Sequence, residues 1–192
     1  MNFICENNIM FSYLKVIIGP MWSGKSSEVV RIYKHKCIAR ISTIVVNYAD
    51  DKRYDEYLLS THDKVKIPCH RYTRLSELLE SGDLCEIKCI VIDEAQFFCD
   101  LYDSVKKLLS MGKMVYVCGL DSDYKMEKFG QIIDVIPLAD EVIKKQALCA
   151  ICRNGKKAAF TKRLSPASVE LNLSTLKTNR TSVLLPKPHM II

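Results

Sequence analysis

No apolar run in the 192 residues approaches the ~18–20 needed to cross a membrane as a helix, so a membrane-spanning segment is not expected. Met1 to Tyr13 carries no Lys or Arg ahead of its short apolar patches. It lacks the charged start of a secretory signal and reads as a short lead-in. A disordered composition is also missing. With 48% hydrophobic and 26% charged residues, the chain has enough apolar material for one core, or for one core plus a small appendage. The nine cysteines are odd in number and mostly scattered singly, which does not make a disulfide framework and fits a reducing, cytosolic setting. Cys89, Cys99 and Cys118 lie in or beside apolar stretches and are expected to act as small buried hydrophobes. The body also lacks a basic excess. Of the formal charge of +6, the segment from Arg153 to Ile192 holds eight Lys/Arg against one acid, leaving 20 Lys/Arg against 21 acids in the first 152 residues. A near-neutral body argues against a broad nucleic-acid-binding face.

What is present alternates between strand and helix signals. Tyr13 to Gly19 is a short β-branched apolar run, followed by a loop over Pro20 to Gly24. From Lys25 to about Ile41, Val29, Ile32, Tyr33 and Cys37 recur at helical spacing. Ser42 to Tyr48 reads as a second strand, and residues 49–63 as an aperiodic functional loop. Lys64 to Pro68 is a short strand candidate and Arg74 to Glu80 a short helix. Lys88 to Ile92 is an apolar strand ending in two acids, and Phe97 to Met111 is a helix closed by Gly112. Lys113 to Cys118 is another buried strand; Ile132 to Ile136 and Glu141 to Lys145 are further elements split by Pro137. This alternation predicts an α/β fold with a mostly parallel sheet covered on both faces. After Cys152 no cysteine follows, and the last glycine is Gly155. A boundary near 145–150 is expected, with a nucleotide domain over 1–145 and a small lobe and tail over 146–192.

Chemistry concentrates in a few places. Gly19-Pro20-Met21-Trp22-Ser23-Gly24-Lys25-Ser26 fits G-x-x-x-x-G-K-[ST] and lies between a predicted strand and a predicted helix. Backbone N–H groups of such a loop point at phosphate oxygens, Lys25 reaches the β- and γ-phosphates, and Ser26 offers a hydroxyl to Mg²⁺. Asp93 closes the apolar run Cys89 to Ile92, at the carboxyl end of a strand where ligands of α/β sheets gather; it is the candidate metal-side acid. Glu94 beside it suits orienting or deprotonating a nucleophile, which is water in an ATPase and a hydroxyl in a kinase. Arg53, in Asp51-Lys52-Arg53-Tyr54, either stabilises a transferring phosphoryl group or is a solvated loop arginine. His62, in Thr61-His62-Asp63, has the same bland alternative. Cys149-Ala150-Ile151-Cys152 is a C-x-x-C knuckle able to hold one side of a tetrahedral Zn²⁺ site. It supplies two of four ligands, and only His189 follows among His and Cys, so zinc is possible with half its ligand set present. A redox C-x-x-C is less favoured, because the pair does not open a helix after a first strand.

Taken together these motifs resemble thymidine kinase of the cellular and poxvirus-like type. The likeness runs in order through the phosphate loop, Asp51 to Tyr54, Thr61 to Asp63, Asp93-Glu94-Ala95-Gln96-Phe97-Phe98, Gly119-Leu120-Asp121, Phe129-Gly130, Pro137-Leu138-Ala139 and Thr161-Lys162-Arg163-Leu164. The short chain and compact N-terminus look like a viral member. The resemblance implies a recA-like P-loop domain with a small zinc-ribbon-like lobe. It implies transfer of the ATP γ-phosphate to the 5′-hydroxyl of thymidine or deoxyuridine. By matching position Glu94 is the general base, Lys25 and Ser26 serve phosphate and Mg²⁺, and Asp93 serves Mg²⁺ through water. Arg53 serves the transferring phosphate, and Gln96 falls on the nucleotide and metal side. Met21, Phe97, Leu120, Tyr124 and Phe129 line the nucleoside pocket. A cytosolic homotetramer with dTTP as feedback inhibitor is implied as well.

The chain departs from that pattern after Leu164. The family closes a loop over the thymine with a Gly-Gly pair and a following Tyr, then places a second C-x-x-C; here Leu184 and Lys187 stand where those cysteines would be. We expect a tail altered relative to a normal member, for instance by a reading-frame change. The alternatives at this stage are a nucleotide-binding pseudoenzyme and a recA-type ATPase.

Overall fold

The computed structural model describes residues 12–49, 58–60, 65–82, 84–163 and 182–185. The first strand, β1 (Tyr13–Ile18), leads through the phosphate loop into α1 (Lys25–Ile38). There follow β2 (Thr43–Tyr48), β3 (Leu58–Ser60), β4 (Lys66–Pro68), β5 (His70–Tyr72), α2 (Leu75–Glu80) and β6 (Cys89–Ile92). A 3₁₀ turn (Ala95–Phe97) precedes α3 (Leu101–Ser110) and β7 (Met114–Gly119). A second 3₁₀ turn (Ile136–Leu138) precedes β8 (Glu141–Lys144). Two small antiparallel ladders complete the described chain: β9 (Ala147–Leu148) with β10 (Lys157–Ala158), and β11 (Phe160–Arg163) with β12 (Ser182–Leu185).

Six strands form one sheet in the order β5-β2-β6-β7-β1-β8, and every pairing in it is parallel. Strand residues alternate between its faces. Leu14, Val16, Ile18, Ile90, Ile92, Val115 and Val117 pack with Leu75 and Leu78 of α2 and Leu101, Val105 and Leu108 of α3. Ile17, Val45, Val91, Tyr116 and Cys118 pack on the other face with Val29, Val30 and Ile32 of α1. Burial on both faces is why these strands read as continuous apolar runs.

Several boundaries differ from the sequence expectation. Helix α1 stops at Ile38, not near Ile41, because Ile41 N–H bonds Lys36 O at 2.9 Å and Arg40 N–H bonds Cys37 O at 3.0 Å. Arg40 takes the left-handed conformation (φ 55°) usually given to glycine in this helix stop. The same stop ends α3, with Gly112 at φ 70°. The helix expected from Phe97 begins only at Leu101. Phe98 is extended (ψ 116°) and buries its ring completely, and Asp100 turns its carboxylate to Leu75 N–H (3.1 Å) and Ser76 N–H (2.8 Å) at the start of α2. Burial works against the Asp100 charge, but these N–H donors hold its carboxyl below the usual range. Residues 132–135 are turns leading into the 3₁₀ turn Ile136–Leu138, with Pro137 near its start. Cys89 and Cys118 are buried as expected, whereas Cys99 is exposed.

At the sheet edge, Glu141 of β8 accepts from the Tyr13 hydroxyl (2.8 Å) and pairs with Lys15 Nζ (2.9 Å), tying β8 to β1. Burial, and next the Glu141 carboxylate, push the Tyr13 phenol up to about 12. The folded chain therefore holds this proton more tightly than the unfolded chain. The resulting stabilisation is full below the ordinary value of 10.0 and is lost as pH rises from there through about 12. Urea unfolding of Tyr13→Phe beside the parent chain should show a stability difference that shrinks between pH 9.5 and 11.5; a constant difference would refute this.

Candidate functional site

All six strands run the same way, so their carboxyl ends share one edge. Ile18 of β1 is level with Gly119 of β7, and Ile92 of β6 is level with Val117. The phosphate loop after β1 and the acid pair after β6 thus leave the same edge, two strand spacings, or about 10 Å, apart.

The loop is built by backbone conformation. Trp22 (φ 60°) and Gly24 (φ 78°) are left-handed, and α1 starts directly after Gly24. At Gly19 the backbone passes so close to β8 that a Cβ would lie 2.5 Å from Lys145 O, so no larger residue fits. Lys145 N–H donates to Ile18 O (2.7 Å), and Lys145 pairs with Glu28 of α1 (3.5 Å). Lys25 folds back over the loop, its Nζ donating to Pro20 O (2.6 Å) and Gly19 O (3.0 Å). Burial is the larger influence and lowers the Lys25 pKa; the carboxylates of Glu94, Asp93 and Asp121 oppose it. The loop lysine and the acid pair thus face each other across the carboxyl ends of β1, β7 and β6.

Asp93 is 3% exposed, its N–H bonded to Val46 O at 2.8 Å and its Oδ1 accepting Glu94 N–H at 3.0 Å. This turn puts Glu94 in the left-handed region (φ 51°), strained for a non-glycine residue. Its Oε2 accepts from Gln96 Nε2 at 2.7 Å, and Gln96 Oε1 accepts from Leu120 N–H at 2.9 Å. Burial, with Asp93 adding, holds the Cys118 thiol well above its ordinary range, so this neighbour of the site is inert.

Beyond the acids lies an aromatic group. Phe97 stacks on Tyr48 (centroids 5.4 Å apart, planes 30°) and meets Phe129 edge-on (5.4 Å, 81°). Leu120 opens the loop that carries Tyr124, whose ring lies under Lys125 Nζ (5.8 Å), and that loop returns at Phe129 and Gly130. Gly130 (φ 60°) presses on the 3₁₀ turn, where a Cβ would collide with Gln96 O.

Residues 12–181 match the family model for thymidine kinase. The chain is 38% identical over 152 residues to the thymidine kinase of variola virus, covering 79% of this chain and 83% of that one. The thymidine kinase of vaccinia virus (strain Western Reserve) is matched at the same identity and coverage. The thymidine kinase of monkeypox virus (strain Zaire-96-I-16) is 36% identical over 161 residues, 84% of this chain and 88% of that one. The chain belongs to the thymidine kinase family. Among solved structures it is similar to domain III of the replication initiation protein DnaA of Thermotoga maritima, with TM-score 0.42, 14% identity, and coverage of 69% of this chain and 54% of that one.

Within this family member, the fold gathers residues 19–26, Asp93, Glu94, Gln96, Phe97, Leu120 and Phe129 around one edge. Met21 differs somewhat: its N–H donates to Thr161 Oγ1 (3.0 Å), and its side chain packs with Ala147, Cys149 and Ala158. Arg53, Asp51, His62 and Leu164 lie outside the described residues. Tyr48, Asp121, Lys144 and Thr161 were not singled out by residue chemistry. Asp121, noted only within the run Gly119-Leu120-Asp121, pairs with Lys144 at 2.6 Å, and the signal for Lys144 was its position at the end of β8.

At the knuckle, Cys152 N–H points at Cys149 Sγ (3.3 Å). Burial raises the Cys149 pKa, but the N–H donors of Cys152 and Ile151 and the Cys152 side chain bring it out below its ordinary value; its hydrogen bond raises Cys152 instead. Among the described residues no group of three or more His, Cys, Asp or Glu could hold a metal ion. The described residues supply two of the four ligands expected for zinc, Cys149 and Cys152. The tail expected to be altered lies outside the described residues except for Ser182–Leu185, which pairs with Phe160–Arg163.

Gly130→Ala should lower stability by roughly 1–3 kcal/mol, through the left-handed backbone and the collision with Gln96 O. Urea denaturation checks this, and a loss under 0.5 kcal/mol would refute it.

Proposed function

We propose that the chain transfers the γ-phosphoryl group of ATP to the 5′-hydroxyl of thymidine, and of deoxyuridine, giving the monophosphate for DNA-precursor salvage. The observation that carries this reading is that, in a thymidine kinase family member, the phosphate loop after β1 and the acid pair after β6 leave the same edge of one parallel sheet. In the transfer, the proton of the 5′-hydroxyl passes to Glu94 as the oxygen bonds to the γ-phosphorus. The bond from that phosphorus to the β–γ bridging oxygen breaks, and ADP departs with that oxygen. Successive N–H groups of residues 19–26 receive the phosphates, and Lys25 offsets charge on the β- and γ-oxygens. Ser26 and Asp93 supply oxygen donors suited to Mg²⁺, Asp93 through water, and the ion would neutralise charge on the β- and γ-oxygens. Arg53 takes the transferring phosphate by its family position. Catalysis here is mostly orientation and charge stabilisation, since the bond-making step is largely dissociative.

Phe97, Leu120, Tyr124 and Phe129 form the nucleoside side, with Met21 closing it toward the small lobe. Tyr48 is added to this wall because Phe97 stacks on it. The same reading keeps residues 1–145 as the nucleotide domain and 146–192 as the lobe and tail. It also carries a cytoplasmic homotetramer inhibited by dTTP, with no nucleic-acid partner. For the membrane the finding is narrower: among the described residues no helix is long and apolar enough to cross one.

Radiolabelled thymidine with ATP and Mg²⁺ should yield thymidine monophosphate. Tight ATP binding without product would favour the pseudoenzyme, and DNA-stimulated ATP hydrolysis the recA-type ATPase. Glu94→Gln should lower turnover by roughly 10²–10⁴ and leave ATP affinity nearly intact. An unchanged rate would remove Glu94 as the base.

A further inference from the structure

The amide of Gln96 is committed on both sides. Leu120 offers an N–H, so the amide oxygen must face it, and the amide nitrogen must then face Glu94; the two bonds are 2.9 Å and 2.7 Å. The side chain is 3% exposed and has little room to turn. A Cβ at Gly119 would collide with Gln96 Oε1 and come within 2.8 Å of Ile132 Cδ1, while Gly130 presses on the Gln96 carbonyl from the other side. The amide thus joins the carboxylate after β6 to the main chain at the end of β7.

We infer that Gln96 is a positioning residue: it aims the Glu94 carboxylate from a fixed point on the Leu120 backbone, and it is not a ligand of the nucleotide or its metal. This differs from the nucleotide-side place that family position implies for Gln96, and it rests on Glu94 being the base. The link has a consequence for the substrate. Leu120 belongs to the nucleoside wall, so a shift of that wall would pass through one amide to the group that accepts the hydroxyl proton. Left alone on a strained left-handed turn, Glu94 has rotamers that point its oxygens elsewhere, and misplacement of a reacting group by about 1 Å costs on the order of 10² in rate.

Two substitutions separate the arms. Gln96→Glu keeps an oxygen toward Leu120 N–H and replaces only the donor facing Glu94. Gln96→Met removes both bonds at similar volume. Each should lower kcat by roughly 10–10² while KM for ATP, KM for thymidine and the Mg²⁺ requirement stay within about threefold. The second measurement is a double-mutant cycle. In the Glu94→Gln background, Gln96→Met should lower kcat by less than about twofold further, because there is no base left to aim. A rise in KM for ATP or in the Mg²⁺ requirement with kcat preserved would overturn the inference, making Gln96 a ligand. So would full additivity in the cycle, which means a merely structural role. Should Glu94→Gln itself keep the parent rate, the base reading fails first; should it lose activity while both Gln96 variants keep kcat, only this inference fails. ATP binding by each variant, measured by equilibrium dialysis, shows that it is folded.

Discussion

The common direction of the six strands organises this edge, because it brings Lys25 of the phosphate loop and the acid pair after β6 to the same side of the sheet. An antiparallel β6 would place its acids at the far edge, a strand length from the phosphate loop. Burial works against the ammonium, and each carboxylate offsets part of that cost. The acids in turn are brought into a low-dielectric edge where a cation nearby makes their charge tolerable. When triphosphate enters, its negative charge would meet the same ammonium, so the lysine is shared between the resident acids and the incoming anion. The site is thus a balance of opposite charges rather than a uniformly positive hole, in keeping with a body whose formal charge is near zero.

That balance needs close backbone approach, and the structure supplies it at three points. Gly19 lets the loop touch β8, Gly119 leaves space for the Gln96 amide, and Gly130 lets the returning loop lie on the 3₁₀ turn. In each case a methyl group would displace main chain or a buried amide. The tie of β8 through Glu141 to Tyr13 and Lys15, and of Lys145 to Glu28, keeps the strand beside Gly19 in register. Edge strand, loop and first helix therefore act as one unit, and α1 is aimed at the site by charge pairs as much as by its buried valines.

Much of this could be read in the residues, and the reasons for the rest are physical. The apolar runs gave the strands of the central sheet because burial on both faces removes polar alternation. His70–Tyr72 was not read as a strand because three polar and aromatic residues at an edge carry no such pattern. Gly112 announced the end of α3, whereas Arg40 concealed the end of α1 by taking a conformation its side chain disfavours. The helix at Phe97 was begun too early because Phe98 fits a helical apolar stripe equally well, and only its burial against the strands shows that the backbone must extend there. The phosphate loop and the acid pair were legible because their chemistry depends on residue type at fixed spacing. The contacts of Gln96 were hidden for the opposite reason. They depend on which two partners its amide finds, and one of them, Leu120, lies 24 residues away, just past the end of β7.

The small ladders bear on the site through one contact that sequence spacing does not reveal. Thr161 accepts the Met21 N–H, and Met21 packs on the cluster formed by Ala147, Cys149 and Ala158. The phosphate loop therefore rests on the β9–β10 pair through its third residue, Met21. Behind that cluster the turn of the knuckle is closed by the Cys152 main-chain N–H, which donates to Cys149 Sγ. The phosphate loop and the Glu94 carboxylate thus have separate structural supports: Thr161 and the cluster of Ala147, Cys149 and Ala158 for the loop, and the Gln96 amide for the carboxylate.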